Sequence, residues 1–202
     1  MRRRSARRLV KWLSRLLEEG GRLALYGPPG SFRTRMALAV ASQLRPAAYL
    51  GAGRHARLRR LPPGVEGLST PSFYEELLNV IRALGMARRG ELRALVVDEF
   101  MANLIPYRAV LNESYIMRMA LTEVHVLRLV AEAGGRVLLV CGEDPRTGGP
   151  LGARYVRLLK PVLVRLEAVE GSLMVEERDL ADPTLILSRA EAALDEVEAE
   201  LP

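Results

Sequence analysis

The chain has 202 residues, 49% of them hydrophobic, which suits one domain with a sizeable core. Its formal net charge of +6 points to an acidic partner, and its one cysteine, Cys141, excludes an intrachain disulfide and a cysteine-cluster metal site. No apolar run has the length of a membrane span and the start lacks a signal peptide's apolar core, so the sequence reads as a cytoplasmic protein with no membrane partner.

Of the 30 basic residues only Lys11 and Lys160 are lysines. Arginine pairs bidentately with phosphate, as nucleic-acid binding would use; a general compositional preference for arginine gives the same count. Residues 1–8, with Arg2, Arg3, Arg4, Arg7 and Arg8, read as a basic arm. An amphipathic helix follows over about 8–19, with Leu9, Trp12, Leu13, Leu16 and Leu17 on one face. Leu23 to Tyr26 is a short buried strand, Gly27-Pro28-Pro29-Gly30 a tight loop, and Phe32 to Leu44 a helix free of glycine and proline. Ala47 to Gly51 is a second strand. Residues 52–68 read as a long loop whose Arg54, Arg57, Arg59 and Arg60 form a candidate anion-binding edge.

A helix is predicted over 69–85, with Pro71 in its first turn and Ser72 with Glu75 as a capping box. Arg93 to Phe100 is a buried strand ending in acids. A loop over 101–111 carries Tyr107 and Arg108, and a long helix covers about 112–133. Its polar stripe of Arg118, Thr122, His125, Arg128 and Glu132 puts His125 at the surface. Val137 to Cys141 is another apolar strand, followed by a glycine-rich loop over 142–154. Residues 161–167 and 172–178 form a hairpin, and 183–187 is a further candidate strand. Ser188 with Glu191 then reads as the cap of a terminal acidic amphipathic helix, 188–202, with Ala190, Leu194, Val197 and Leu201 on its seam.

This alternation predicts an α/β fold: a mostly parallel sheet with helices on both faces and a C-terminal antiparallel β extension. Ligands of such sheets bind at the carboxyl ends of the strands. There the sequence places the first loop, Asp98-Glu99 and Gly142-Glu143. A strand, a glycine loop and a helix cradle phosphate through backbone N–H groups and the positive helix end. Laid on the phosphate-loop pattern G-x-x-x-x-G-K-[ST], Gly27 is the first glycine and Thr34 the final hydroxyl, with Phe32 at the second glycine and Arg33 at the lysine. Gly27, Pro28, Pro29, Gly30, Ser31, Phe32, Arg33, Thr34 and Asp98 are thus the candidate ATP-binding residues. Thr34 and Asp98 are the candidate Mg²⁺ ligands. The Phe32 side chain is expected to intrude on bound phosphate, and Arg33 to carry the lysine's charge on a longer, planar group.

LEEGGRLALYGPPGS, LVVDEF and the stretch PLGARYVRLLKPVLVRLEAVEGSLMVEERDLADP together resemble the RecA-like ATPases, and among them the archaeal RadA and RadB recombinase group. The resemblance covers about residues 9–187, with RadB the nearer of the two. It implies a RecA-like ATPase domain, and DNA loops at about 101–111 and 143–154, where Arg108, Arg146 and Arg154 lie. It also implies a catalytic glutamate just after the second strand, where this chain has Gly53. The polar sensor of the family aligns with Glu143; Glu99 and Glu143 are the carboxylates left as catalytic candidates. The implied function is a divergent recombinase paralog, accessory or regulatory in DNA recombination and repair, with impaired ATP hydrolysis. Its implied partners are DNA and a RadA-type recombinase or paralog subunit. The alternatives are a working DNA-dependent ATPase that uses Arg33, and a RecA-fold interaction subunit with no DNA role.

Overall fold

A computed structural model describes residues 5–52 and 61–202. Arg2, Arg3, Arg4, Gly53, Arg54, Arg57, Arg59 and Arg60 lie outside the described residues. The first helix, α1 (Ala6–Gly20), takes in Arg7 and Arg8, so these two belong to a helix and not to an arm. Leu9, Leu13 and Leu17 are its buried stripe, and Gly21 ends it in a left-handed conformation (φ +69°), its N–H donating to the Leu17 carbonyl at 2.9 Å.

The chain continues as β1 (Arg22–Gly27), α2 (Arg33–Gln43), β2 (Ala47–Ala52), β3 (Val65–Thr70), α3 (Phe73–Arg88) and β4 (Ala94–Asp98). Two 3₁₀ turns, Ala102–Leu104 and Pro106–Ala109, lead to α4 (Glu113–Glu132), β5 (Arg136–Gly142) and α5 (Ala153–Leu159). β6 (Val162–Val169), β7 (Ser172–Arg178), β8 (Ile186–Ala193) and α6 (Leu194–Glu200) complete it. Among the described residues eight strands form one sheet in the order β3-β2-β4-β5-β1-β6-β7-β8, parallel from β3 to β6 and antiparallel at β6–β7 and β7–β8. Strand residues alternate between two apolar layers. Leu23, Leu25, Val96, Leu138 and Val140 meet α1, α2 and α6 on one face; Ala24, Tyr26, Leu95, Val97 and Leu139 meet α3, α4 and α5 on the other. The predicted α/β class and mostly parallel sheet are therefore present. No helix among the described residues is long and apolar enough to cross a membrane.

Three further expectations are corrected. Residues 65–70, which span the end of the predicted loop and the start of the predicted helix, form β3, an edge strand paired with β2 from Ala47↔Val65 to Ala52↔Thr70. With Glu66 and Gly67 exposed it has no apolar run to announce it. The helix after it starts at Phe73 instead of residue 69, and Ser72 caps it: Ser72 Oγ accepts the Glu75 N–H at 3.3 Å, while the Glu75 carboxylate accepts from the Ser72 hydroxyl at 3.1 Å and not from its backbone N–H as a capping box would have it. The terminal helix does not begin at Ser188. Residues 186–193 are β8, and only Leu194–Glu200 is helical. Ala190 and Ala192 alternate with Arg189 and Glu191, and pairing with β7 (Val175↔Ala190, Leu173↔Ala192) selects that period of two over the weaker helical one.

The antiparallel extension has one apolar face, Leu166↔Val175↔Ala190, turned toward α1, and one charged row, Arg165↔Glu176↔Arg189. Glu176 is 1% exposed and is gripped by Arg178 and by Arg189, whose Nε donates to it at 2.7 Å. The hairpin turn is Glu170-Gly171, both at positive φ (+44° and +78°), which matches the twist of the two strands.

Candidate functional site

β1 ends at Gly27, where an added Cβ would lie 2.0 Å from the Leu166 carbonyl oxygen, so the loop leaves the sheet hard against β6. Pro28 to Ser31 turn tightly, with the Ser31 N–H donating to the Pro28 carbonyl at 3.3 Å. Phe32 takes a left-handed φ of +59°, and α2 starts at Arg33. The first-turn N–H groups of α2 have no intrahelical acceptor and sit at its positive end. Ser31 Oγ is buried in the same turn with no hydrogen-bond partner among the described residues. A phosphate would satisfy these donors.

Thr34 projects from α2 toward β4, its hydroxyl 3.1 Å from each oxygen of the buried Asp98 carboxylate. The Tyr49 hydroxyl, from β2, donates to Oδ2 of Asp98, and the Glu99 N–H donates to Oδ1 at 3.1 Å. Because β5 lies between β1 and β4, Thr34 and Asp98 meet across the carboxyl tip of an intervening strand. Arg33 hydrogen-bonds the carbonyl of Cys141 on that tip. Burial lowers the pKa of its guanidinium, an effect the Asp98 charge opposes. Burial also pushes the Cys141 thiol up to about 12.

A cavity of about 340 Å³ opens beside these groups. Phe100, Met101, Ile105 and Leu151 give it apolar walls, and Arg33, Asp98, Glu99 and Arg108 its charges. A wider groove over the start of α2 is lined by Gly30 to Arg35, Glu99 and Pro202. Arg35 closes one end of it, donating to the main-chain carbonyls of Glu198 (2.9 Å), Leu201 (2.6 Å) and Pro202 (2.8 Å). Three non-glycine residues here are left-handed: Phe32, Glu99 (φ +56°) and Met101 (φ +76°). Each costs about 1–2 kcal/mol, so strain gathers at this edge of the sheet, as it does at functional sites.

The candidate residues do not all fare alike. Gly27, Pro28, Pro29, Gly30, Ser31, Arg33, Thr34 and Asp98 form one continuous edge. The Phe32 ring packs against the apolar layer of α1 and α2, with the Arg35 guanidinium 5.6 Å from its centre. Arg33, and not Phe32, spans the gap between loop and sheet. Glu99 is exposed and lines both cavity and groove. Glu143 faces β6, held by Arg165 at 3.1 Å, with both side chains about one-sixth exposed or less, so its charge is already spent on an ion pair. Arg108 reaches the cavity; Arg146 is exposed on the loop after β5. Arg154 pairs with Glu113 at 3.2 Å and stacks 4.6 Å from the Tyr155 ring centre.

Tyr49, Arg35 and the pair Glu76 and Glu123 were not singled out from sequence. Tyr49 and Arg35 carry no local signal. The two glutamates do, because each occupies an inward position of an apolar seam: Phe73, Glu76, Val80, Ala83 on α3, and Ile116, Ala120, Glu123, Leu127 on α4. No family model matches the chain, and no curated protein sequence is similar to it.

Proposed function

We propose that this chain is a divergent RecA-like protein that binds ATP with Mg²⁺ at the carboxyl edge of its sheet, hydrolyses it poorly or not at all, and serves as an accessory factor in DNA recombination or repair. The observation that carries the reading is the Thr34 hydroxyl bracketing both oxygens of Asp98 beneath a loop whose donors are unfilled. Thr34 and Asp98 suit a Mg²⁺ ion, and Tyr49 fixes the Asp98 carboxylate between them. The Ser31 hydroxyl and the first-turn N–H groups of α2 suit phosphate oxygens. The bound ion would draw phosphate charge toward Asp98; the residues themselves orient the nucleotide.

Weak turnover follows from the carboxylates at hand. Gly53 supplies none, and Glu143 is paired with Arg165. That leaves Glu99, on a left-handed residue next to Asp98. DNA as partner is supported by Arg108 and Arg146, exposed arginines on the two loops that border the cavity, and a RadA-type recombinase or paralog subunit is the protein partner the resemblance implies.

Titration with a fluorescent ATP analogue tests the nucleotide site. Saturable binding strengthened by Mg²⁺ and lost in Asp98→Ala is the expected result; no binding by the parent chain overturns the reading. Arg33→Ala, which removes the cation at the lysine's position, should weaken binding, whereas Phe32→Gly should change it less because the ring packs on the α1 and α2 layer. On DNA, affinity should fall steeply with salt, and Arg146→Ala should lower the log–log salt slope by about 1. Salt-independent or undetectable binding to single- and double-stranded DNA would instead favour a subunit with no DNA role.

A further inference from the structure

α3 and α4 pack over the sheet face that holds β2, β4 and β5, and each sends one glutamate inward. Glu76 is 2% exposed and Glu123 fully buried. The two carboxyls lie close enough for each to act on the other's ionisation, and among the described residues neither buried oxygen of Glu123 meets a hydrogen-bond donor. Glu76 Oε2 accepts from the Asn103 amide at 2.7 Å. The same amide nitrogen donates to the Thr70 carbonyl at 2.9 Å, and the Thr70 hydroxyl donates to the Gly51 carbonyl at 2.8 Å. One polar chain therefore runs from the tips of β2 and β3 through Asn103 to the two helices. Asn103 belongs to the turn Ala102–Leu104, between Met101 and Ile105, which wall the cavity.

Two ionised carboxylates in contact at this depth repel each other and lose their hydration, so the pair retains a proton that solvated acids would release. Among the described residues no cation answers them. The charged group acting on Glu123 is Glu76; Glu76 meets Glu123, the neutral Asn103 from the turn and, across Asn103, the neutral Thr70 from β3. No arginine is among the groups acting on either carboxyl; Arg82 of α3 bonds Asn79, and Arg154 of α5 pairs with Glu113. Burial raises the Glu76 carboxyl to about 7 and Glu123 well above the ordinary carboxylate range.

We infer that Glu76 and Glu123 form a proton-binding site whose shared proton latches the Met101–Ile105 wall of the cavity to α3 and α4, and whose loss releases that wall. With the proton in place, one carboxyl donates to the other and Glu76 still accepts from Asn103. Without it, like charges part the helices and the Asn103 anchor goes with Glu76. The latch depends on the fold alone; only its bearing on nucleotide rests on the function proposed above. The sign of the linkage is fixed. These folded-state pKa values lie above the unfolded ones, so the pair's stabilisation is complete below the unfolded carboxylate range and lost as pH rises toward and past 7.

The full chain is examined by infrared spectroscopy and by amide hydrogen exchange from about pH 5.5 to about pH 8.5, exchange rates being corrected for base catalysis. The parent chain should show a protonated-carboxyl band at the acid end that fades with rising pH, while exchange over residues 100–105 accelerates about tenfold. Glu123→Gln, whose amide donates permanently, should lack the band and keep slow exchange throughout. Asn103→Ala should keep the band but uncouple the turn, which then exchanges fast at every pH; it also serves where Glu123→Gln folds poorly. Absence of the band in the parent overturns the shared proton. A band that titrates while exchange over 100–105 stays unchanged overturns the latch. Either outcome leaves the nucleotide reading standing, because no nucleotide is present.

Discussion

Gly27→Ala should lower the unfolding free energy by about 3 kcal/mol or more, a large share of what a domain of this size possesses. The new Cβ would stand 2.0 Å from the Leu166 carbonyl oxygen and 3.1 Å from its carbon. Leu166 is fixed in β6 between β1 and β7, so neither backbone can retreat without breaking strand pairing. Gly30 supplies the control. Its φ is +82° but an added Cβ meets nothing within 4 Å, so Gly30→Ala carries only the conformational penalty of about 1–2 kcal/mol. Denaturant titration of the two variants separates contact from conformation. A smaller loss at position 27 than at 30 would mean that β6 does not press on the loop.

Glu176→Gln should cost about 3 kcal/mol, through the uncompensated guanidinium it leaves behind. Arg178 is 14% exposed and would face a neutral amide, while Arg189, at 41%, keeps much of its hydration. In the parent chain burial pushes the Glu176 carboxyl up, but hydrogen bonds from Arg178 and Arg189 outweigh it and the net shift is downward. A folded-state pKa below the unfolded one means that this stabilisation is full above the unfolded carboxylate range and disappears as pH falls through the folded value. The parent should thus lose stability on acidification by more than the variant does, and thermal melts across that range will show the two curves converge. Parallel curves would sink the argument. Glu76 and Glu123 act in the opposite sense, so maximal stability is expected on the acid side of neutrality.

The strand–loop–helix unit, the buried strand ending in Asp98 and both long helices were legible because each carries its own local signal: an apolar run, a capping residue, or glycines at the ends. Ser72 and Asn112 each cap their helix, accepting the N–H of Glu75 and Tyr115. What escaped notice depends on partners distant in sequence. β3 exists because β2 offers it a free edge, and β8 because β7 outcompetes a helix that would start at Ser188. Arg33 could be recognised as a charge near phosphate, but its attachment to Cys141, 108 residues away, follows from the strand order. Glu76 and Glu123 broke their seams in plain view; only the packing of α3 on α4 shows that the two breaks face each other.

Cys141 lies on the floor beneath this edge, wholly inaccessible, facing the α4 and α5 layer. Being the one thiol in the sequence, it makes the molecule its own chronometer. A thiol reagent added in excess can modify the chain at one position only. It does so when the helical layer lifts: burial keeps the closed thiol covered and protonated, and once hydrated the thiol regains ordinary reactivity toward the excess reagent. The labelling rate, followed by intact mass, therefore measures how often the layer above β5 opens, with no engineered probe and no disturbance to the loop or the cavity.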